Sequence, residues 1–246
     1  MARRQTPFAK CEIRWWGPVK AGDTITGSRR VLEKYDRRGS KFVTFRVEAA
    51  NQHGEKVAEY DYTCIFGYAQ GSKSVPQTPG SAEPQPLTGN PGGQELALSS
   101  SALLSFDEMS EGTQLAQMSI SESQEIINRK SDFRLSGEPN PINIHNNEEF
   151  ARQNIFSGTV ASGPAAMSYV DQMLQLSFPL RALYEGGSLL MRAIEPFRAG
   201  DTVTFQGEVT AKDAESAGRI VECRIKGINQ RGDLVNLSDA KLMLSV

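Results

Sequence analysis

Two stretches of the chain carry the same strand-forming pattern of apolar and polar positions. After Ala21-Gly22-Asp23 the alternation runs through Thr24 and Thr26 to Val31, and after Ala199-Gly200-Asp201 it runs through Val203 and Phe205 to Val209. A tight turn feeding a long strand produces this pattern. Phe42 to Val47 and Ile220 to Ile225, dense in β-branched and aromatic side chains, predict the next strand of each stretch. Asn51-Gln52-His53-Gly54-Glu55 and Asn229-Gln230-Arg231-Gly232-Asp233 then predict hairpin turns whose glycine takes positive φ, leading into last strands over Val57 to Phe66 and Val235 to Val246. Each stretch is expected to be a meander of three or four antiparallel strands.

The two stretches align at one displacement. Residues 18–25 map onto 196–203 and residues 51–57 onto 229–235, both by 178 positions and without a gap. Two matched blocks at a single offset mark an internal repeat, so the halves share a fold.

Between the strand-rich stretches the pattern changes twice. Gln70 to Gly93 is rich in Pro, Gly, Ser, Gln and Thr and has almost no large apolar residues, the composition of a linker. Ser121 to Arg129, with a capping serine and early acids, predicts a helix, and Asn147 to Gln153 a second, short one. Ala165 to Leu176 is apolar around most of its circumference, which places it inside the embrace of a sheet. The expected organisation is a partial first module over 1–69, a linker over 70–105 and a complete module over 106–246.

Charge and composition narrow the classes of function. Lys and Arg number 27 against 29 Asp and Glu, a net charge of -2, which provides no basic stripe for a nucleic-acid backbone. Cys11, Cys64 and Cys223 are too scattered for a disulfide framework or a zinc site and are expected to be reduced thiols of a cytoplasmic protein. No apolar run suits a membrane span or a leader segment. Nucleic acid and membrane are therefore not expected partners.

The stretch Phe133-Arg134-Leu135-Ser136-Gly137-Glu138-Pro139-Asn140-Pro141-Ile142-Asn143 resembles the signature of MaoC-like (R)-specific enoyl-CoA hydratases. That signature has an aromatic residue followed by Ser-Gly-Asp-x-Asn-Pro, an apolar residue and His. An acidic helix ending Phe150-Ala151-Arg152 and the run Ser157-Gly158-Thr159-Val160-Ala161-Ser162-Gly163 follow, as in that family. The resemblance spans roughly 106–246 and, through the repeat, part of 9–68. It implies an α+β tandem hot-dog fold, an antiparallel sheet wrapped around a central helix, with the first module truncated.

What the resemblance implies about chemistry is hydration of an enoyl thioester, or the reverse dehydration, without a metal or redox cofactor. An Asp and a His five positions apart hold the water and move its proton, and a backbone N–H at the start of the central helix receives the thioester oxygen. Here Glu138 stands at the Asp position and Asn143 at the His position, and asparagine does not exchange protons near neutrality. His145, two residues on, would share a side with Asn143 if that segment is extended. Glu138 and His145 would then form the acid/base pair, with Asn143 assisting. Alternatively His145 is an ordinary polar residue before a turn. His53 is expected to be exposed in its hairpin.

Gly163, preceded by Ser162 and followed by Pro164 at the head of the central helix, is the expected oxyanion donor, and Asn140 a substrate-binding residue. A glycine needed only for close chain approach is the alternative. Three functions stay open: a hydro-lyase on a CoA or carrier-protein thioester, a thioester-binding or scaffold subunit, and an altered reaction on a bulkier substrate. Trp15 and Trp16, on a sheet with no helix of its own, are expected to meet a partner chain, making the protein a homo- or hetero-oligomer.

Overall fold

The structure is a computed structural model that describes residues 6–68, 103–132, 138, 140–214 and 218–244. The expected linker at 70–93 lies outside the described residues, as do 133–137 and 139 of the signature.

Four strands make the first module: β1 (Phe8–Trp15), β2 (Thr26–Arg37), β3 (Ser40–Ala50) and β4 (Lys56–Gly67). The second module comprises β5 (Met118–Ser121), α1 (Gln124–Asp132), α2 (Glu148–Arg152), α3 (Gly163–Gln175), α4 (Arg181–Tyr184), β6 (Ser188–Ala193), β7 (Thr202–Asp213), β8 (Arg219–Asn229) and β9 (Leu234–Leu244). The strands form one nine-stranded sheet in the order β2-β3-β4-β1-β6-β9-β8-β7-β5. Every pairing is antiparallel.

The repeat holds down to single hydrogen bonds. Asn51 Oδ1 accepts from the amides of His53 and Glu55, both at 3.0 Å, and Gln52 Oε1 accepts from the Thr24 amide at 3.0 Å. In the second module Asn229 Oδ1 accepts from Arg231 and Asp233 at 3.0 and 2.9 Å, and Gln230 Oε1 from Thr202 at 2.9 Å. The bulge between Val31 and Glu33 has its counterpart between Val209 and Ala211. The aspartate–arginine cluster of Asp61 with Arg46 and Arg14 returns as Asp239 with Arg224 and Arg192. In both clusters the guanidinium groups hold the aspartate below the usual carboxylate range, against the opposing effect of burial.

The modules join through β1 and β6, and the register is symmetric. Glu12 faces Leu190, its own counterpart in the repeat, while Lys10 faces Arg192 and Arg14 faces Ser188. A local two-fold axis therefore passes through the Glu12–Leu190 pair, the self-complementary geometry of an isologous dimer interface placed within one chain.

The core lies between the sheet and α3. Ala166, Met167, Tyr169, Val170, Met173 and Leu174 of the helix are buried against Val203, Phe205 and Val209 of β7, Val221 and Ile225 of β8 and Leu189 and Met191 of β6. The first module contributes Cys11, with Phe8, Ile13, Trp15, Tyr60 and Tyr62 packed around it. One helix thus serves a sheet built from both modules. The three cysteines are free and buried, and burial pushes the Cys11 and Cys223 thiols up to about 12. Among the described residues no helix is long and apolar enough to cross a membrane.

Three expectations are corrected. The helix expected from Ser121 begins at Gln124, because Ser121 is taken by β5, where its hydroxyl lies 2.7 Å from that of Thr202. Ser123 supplies the cap, its Oγ accepting from the Ile126 amide at 3.2 Å. Trp15 is not left uncovered by its own chain: its ring stands edge-on to Tyr184 of the second module with centroids 5.1 Å apart, since pairing of β1 with β6 brings the strand beneath α4. Residues 144–146 form a turn, so His145 and Asn143 do not share one side of an extended segment.

Leu104, inside the expected linker bounds of 70–105, donates its amide to Ser177 O at 2.9 Å and packs against the second module's core.

Candidate active site

The elements around His145 fix its ring. Asn143 Oδ1 accepts from the His145 amide at 2.7 Å, the Asn143 amide donates to Asn146 Oδ1 at 2.9 Å and Asn143 Nδ2 donates to Pro141 O at 2.9 Å. These local bonds make a tight polar turn, the structure that asparagines favour. Gln124 of α1 ties the turn to the body of the domain, donating to His145 O at 2.8 Å and accepting from the Thr159 hydroxyl at 2.6 Å. Val160 completes the clamp: its amide donates to Ile144 O at 3.3 Å, and its carbonyl lies 2.7 Å from His145 Nδ1.

That last contact determines the tautomer. A carbonyl oxygen only accepts, so Nδ1 carries the hydrogen and donates it, and Nε2 keeps its lone pair in the neutral ring. Burial lowers the His145 pKa, with the Val160 carbonyl opposing. The ring is consequently neutral at physiological pH, with one nitrogen able to accept a proton.

The head of α3 stands in the same cleft. Ser162 is the N-cap, its Oγ accepting from the Ala165 amide at 3.4 Å, and Pro164 follows Gly163 in the first turn, where its missing donor costs nothing. The Gly163 amide, at the first helical position, has no acceptor within the helix and sits at the positive end of the helix dipole. A Cβ on Gly163 would penetrate the ring of Phe8, so the first module's β1 approaches this helix start as closely as a glycine permits. The Ala161 amide bonds Phe197 O at 2.7 Å and holds the approach to the helix against the β6–β7 connection.

His145, Ser162, Gly163 and Pro164 line one cleft of about 580 Å³ between the modules. The first module supplies Phe8, Ser40, Phe42 and Tyr62, and Arg37 and Arg38 from the β2–β3 hairpin. A mostly apolar, solvent-open pocket of about 400 Å³ adjoins it, lined by Cys11, Ile13, Trp15, Tyr60, Met167 and Leu189 with Asp171 and Tyr184 at its polar side, and Phe8, Tyr62 and Pro164 border both spaces.

The expected site residues are thus divided. His145, Ser162 and Gly163 come together. Glu138 is exposed and does not line the cleft, Asn143 is engaged in its turn, and Asn140 is half-buried outside the cleft. Sequence reasoning missed the first-module wall. Arg37-Arg38-Gly39-Ser40 has the composition of a hairpin turn, yet nothing in its pattern reports proximity to residue 145. His53 is exposed in its hairpin.

Two hot-dog modules sharing one sheet, with a cleft at the head of the central helix, define a double hot-dog protein. Residues 114–229 match the family described as MaoC like domain, and residues 5–60 match the one described as FAS1-like, dehydratase domain region. Among solved structures, a MaoC-like dehydratase superposes with a TM-score of 0.74 at 17% identity, covering 98% of this chain and 76% of that one. A MaoC domain dehydratase from Chloroflexus aurantiacus gives 0.65 at 19% identity, covering 97% and 76%. A Mycobacterium tuberculosis protein described as a double hotdog fold gives 0.59 at 13%, covering 98% and 76%. No curated protein sequence matches the chain. Residues 114–229 are a MaoC-like domain, a domain of a hydratase and dehydratase family, and the fold of the whole chain is similar to that of double hot-dog structures.

Proposed function

We propose that the chain is a hydro-lyase that adds water to an enoyl thioester, or removes it from the 3-hydroxyacyl thioester, in the cleft between its modules. The observation that carries this reading is His145: neutral, fixed in the Nδ1–H tautomer by Val160 and sharing a cleft with the Gly163 amide. Its Nε2 takes a proton from water as the water oxygen bonds to C3, and the C2=C3 electrons move onto the thioester oxygen. The Gly163 N–H stabilises the resulting enolate oxygen, and the imidazolium returns the proton to C2. Atoms and charge balance with a single imidazole as base and then acid. Arg37 and Arg38 at the rim favour an anionic carrier, and the diphosphate of CoA suits them.

In this reading Ser162 shapes the helix start, Asn143 orients the His145 turn, and Glu138 and Asn140 take no part in proton transfer. The exposure of Glu138 favours a second reading, a subunit that binds the thioester without transforming it. Hydration of trans-2-butenoyl-CoA, followed by loss of enoyl absorbance, separates the two. Turnover that falls at least about 100-fold in His145→Gln, with the far-ultraviolet circular dichroism unchanged, supports the hydro-lyase. Wild-type protein that binds butanoyl-CoA but leaves the enoyl thioester intact establishes the binding subunit.

A further inference from the structure

The position of Phe8 depends on an irregularity in β1. Residues Cys11, Ile13 and Trp15 face Tyr62, Tyr60 and Ala58 across the β1–β4 ladder and point toward α3. Strict alternation would place Phe8 on the opposite face, with the polar side chains of Lys10, Glu12 and Arg14. The register shifts between Phe8 and Lys10, so Phe8 lies opposite Cys64 and its ring turns inward. A bulge that re-aims one side chain beside a cleft is a recurrent device of sheets. The repeat counterpart of Phe8 is Gly186, which has no side chain to present, so the ring belongs to the first module alone.

The ring occupies the border between the two spaces. Phe8 stands edge-on to Tyr62 at 5.2 Å between centroids and lies so close to Gly163 that a Cβ there would enter it. On one side is the cleft with His145 and the arginine pair, and on the other the mostly apolar pocket under α3. Resting on the reading of the cleft as a thioester site, we infer that Phe8 is a specificity-determining residue that shuts the acyl group out of that pocket and restricts the site to short chains. The pocket that Phe8 also lines offers a longer tail about 400 Å³ of mostly apolar space, and removal of the ring would join it to the cleft.

The test uses equilibrium binding of two saturated thioesters, butanoyl-CoA and decanoyl-CoA, so that it does not depend on turnover. Calorimetric titration of the wild-type chain is expected to show decanoyl-CoA binding no more tightly than butanoyl-CoA. In Phe8→Ala the preference for decanoyl-CoA over butanoyl-CoA rises at least about tenfold, the factor that one or two newly buried methylenes produce. Phe8→Leu, which retains an apolar side chain in the core, gives an intermediate ratio and guards against a folding defect in the alanine variant. A wild-type chain that already prefers decanoyl-CoA by about tenfold, or a ratio indifferent to both substitutions, overturns the inference. Failure of the wild type and both variants to bind either thioester overturns it as well. Hydration of trans-2-butenoyl-CoA is measured on the same preparations. Its absence alone counts against the hydro-lyase reading and leaves the binding ratio to decide the role of Phe8.

Discussion

The imidazole of His145 is held through Nδ1 by the carbonyl oxygen of Val160 at 2.7 Å. Because that carbonyl fixes which nitrogen carries the hydrogen, the base form is preorganised and its lone pair is on Nε2. Burial keeps the ring's pKa below its ordinary value of 6.5. Activity that needs neutral His145 is therefore expected to persist as pH falls through 6.5 and to decline only at the lower folded value. The same depression has a consequence for stability: the contribution of the neutral ring is complete above 6.5 and is lost as pH falls through the folded pKa. Urea midpoints for wild type and His145→Gln, measured across that range, should converge toward acid. Parallel pH curves for the two proteins would contradict the assignment.

Gly163 and Phe8 are expected to be energetically coupled. Gly163→Ala drives a methyl group into the ring, and overpacking of this kind costs about 1–3 kcal/mol. In a Phe8→Ala background the same substitution meets no ring, so its cost should fall below about 1 kcal/mol. A double-mutant cycle by urea denaturation measures the difference, and additive costs would show that the ring yields readily.

The repeated turns should not tolerate the same substitution equally. Asn229 is 5% exposed and accepts from two backbone amides, whereas Asn51 performs the same bonding in a more open hairpin. Loss of Asn229 removes a buried acceptor shared by two amides, at about 1–3 kcal/mol, and Asn51→Ala should cost less because water reaches its more open position. Thermal denaturation of the two alanine variants checks the order.

Assembly stays a proposal on narrower ground than the tryptophan pair offered. With Trp15 packed on Tyr184, the exposed apolar surface of the first module rests on Trp16, Val19, Ile25, Val31, Leu32 and Phe66. Light scattering at micromolar concentration is expected to give at least twice the 27.0 kDa chain mass. A monomer would end this proposal and leave the site chemistry untouched.

The repeat was legible because it is written in local terms. Turn asparagines, glycines able to take positive φ and alternating strand positions act over a few residues, and a displacement of 178 carried all of them into both modules. The helix at Gly163–Gln175 was legible for the same reason, its apolar circumference calling for a surrounding sheet. The Ser121 expectation missed by three residues, because pairing with Thr202 captured a serine that also suits a helix cap.

The site was divided by contacts that sequence spacing does not encode. Glu138 and Asn143 occupy the positions of the acid/base pair in the related signature, yet Asn143 closes a local turn and Glu138 is exposed. That turn carries His145 to the carbonyl of Val160, fifteen residues away. Phe8 reaches the head of α3 only because a one-residue bulge reverses its face, and alternation read from sequence gives the opposite side. Local hydrogen bonding and side-chain periodicity determined the two modules and their strands. Register, bulges and long-range pairing, which depend on the whole sheet closing around one helix, decided which residues meet in the cleft.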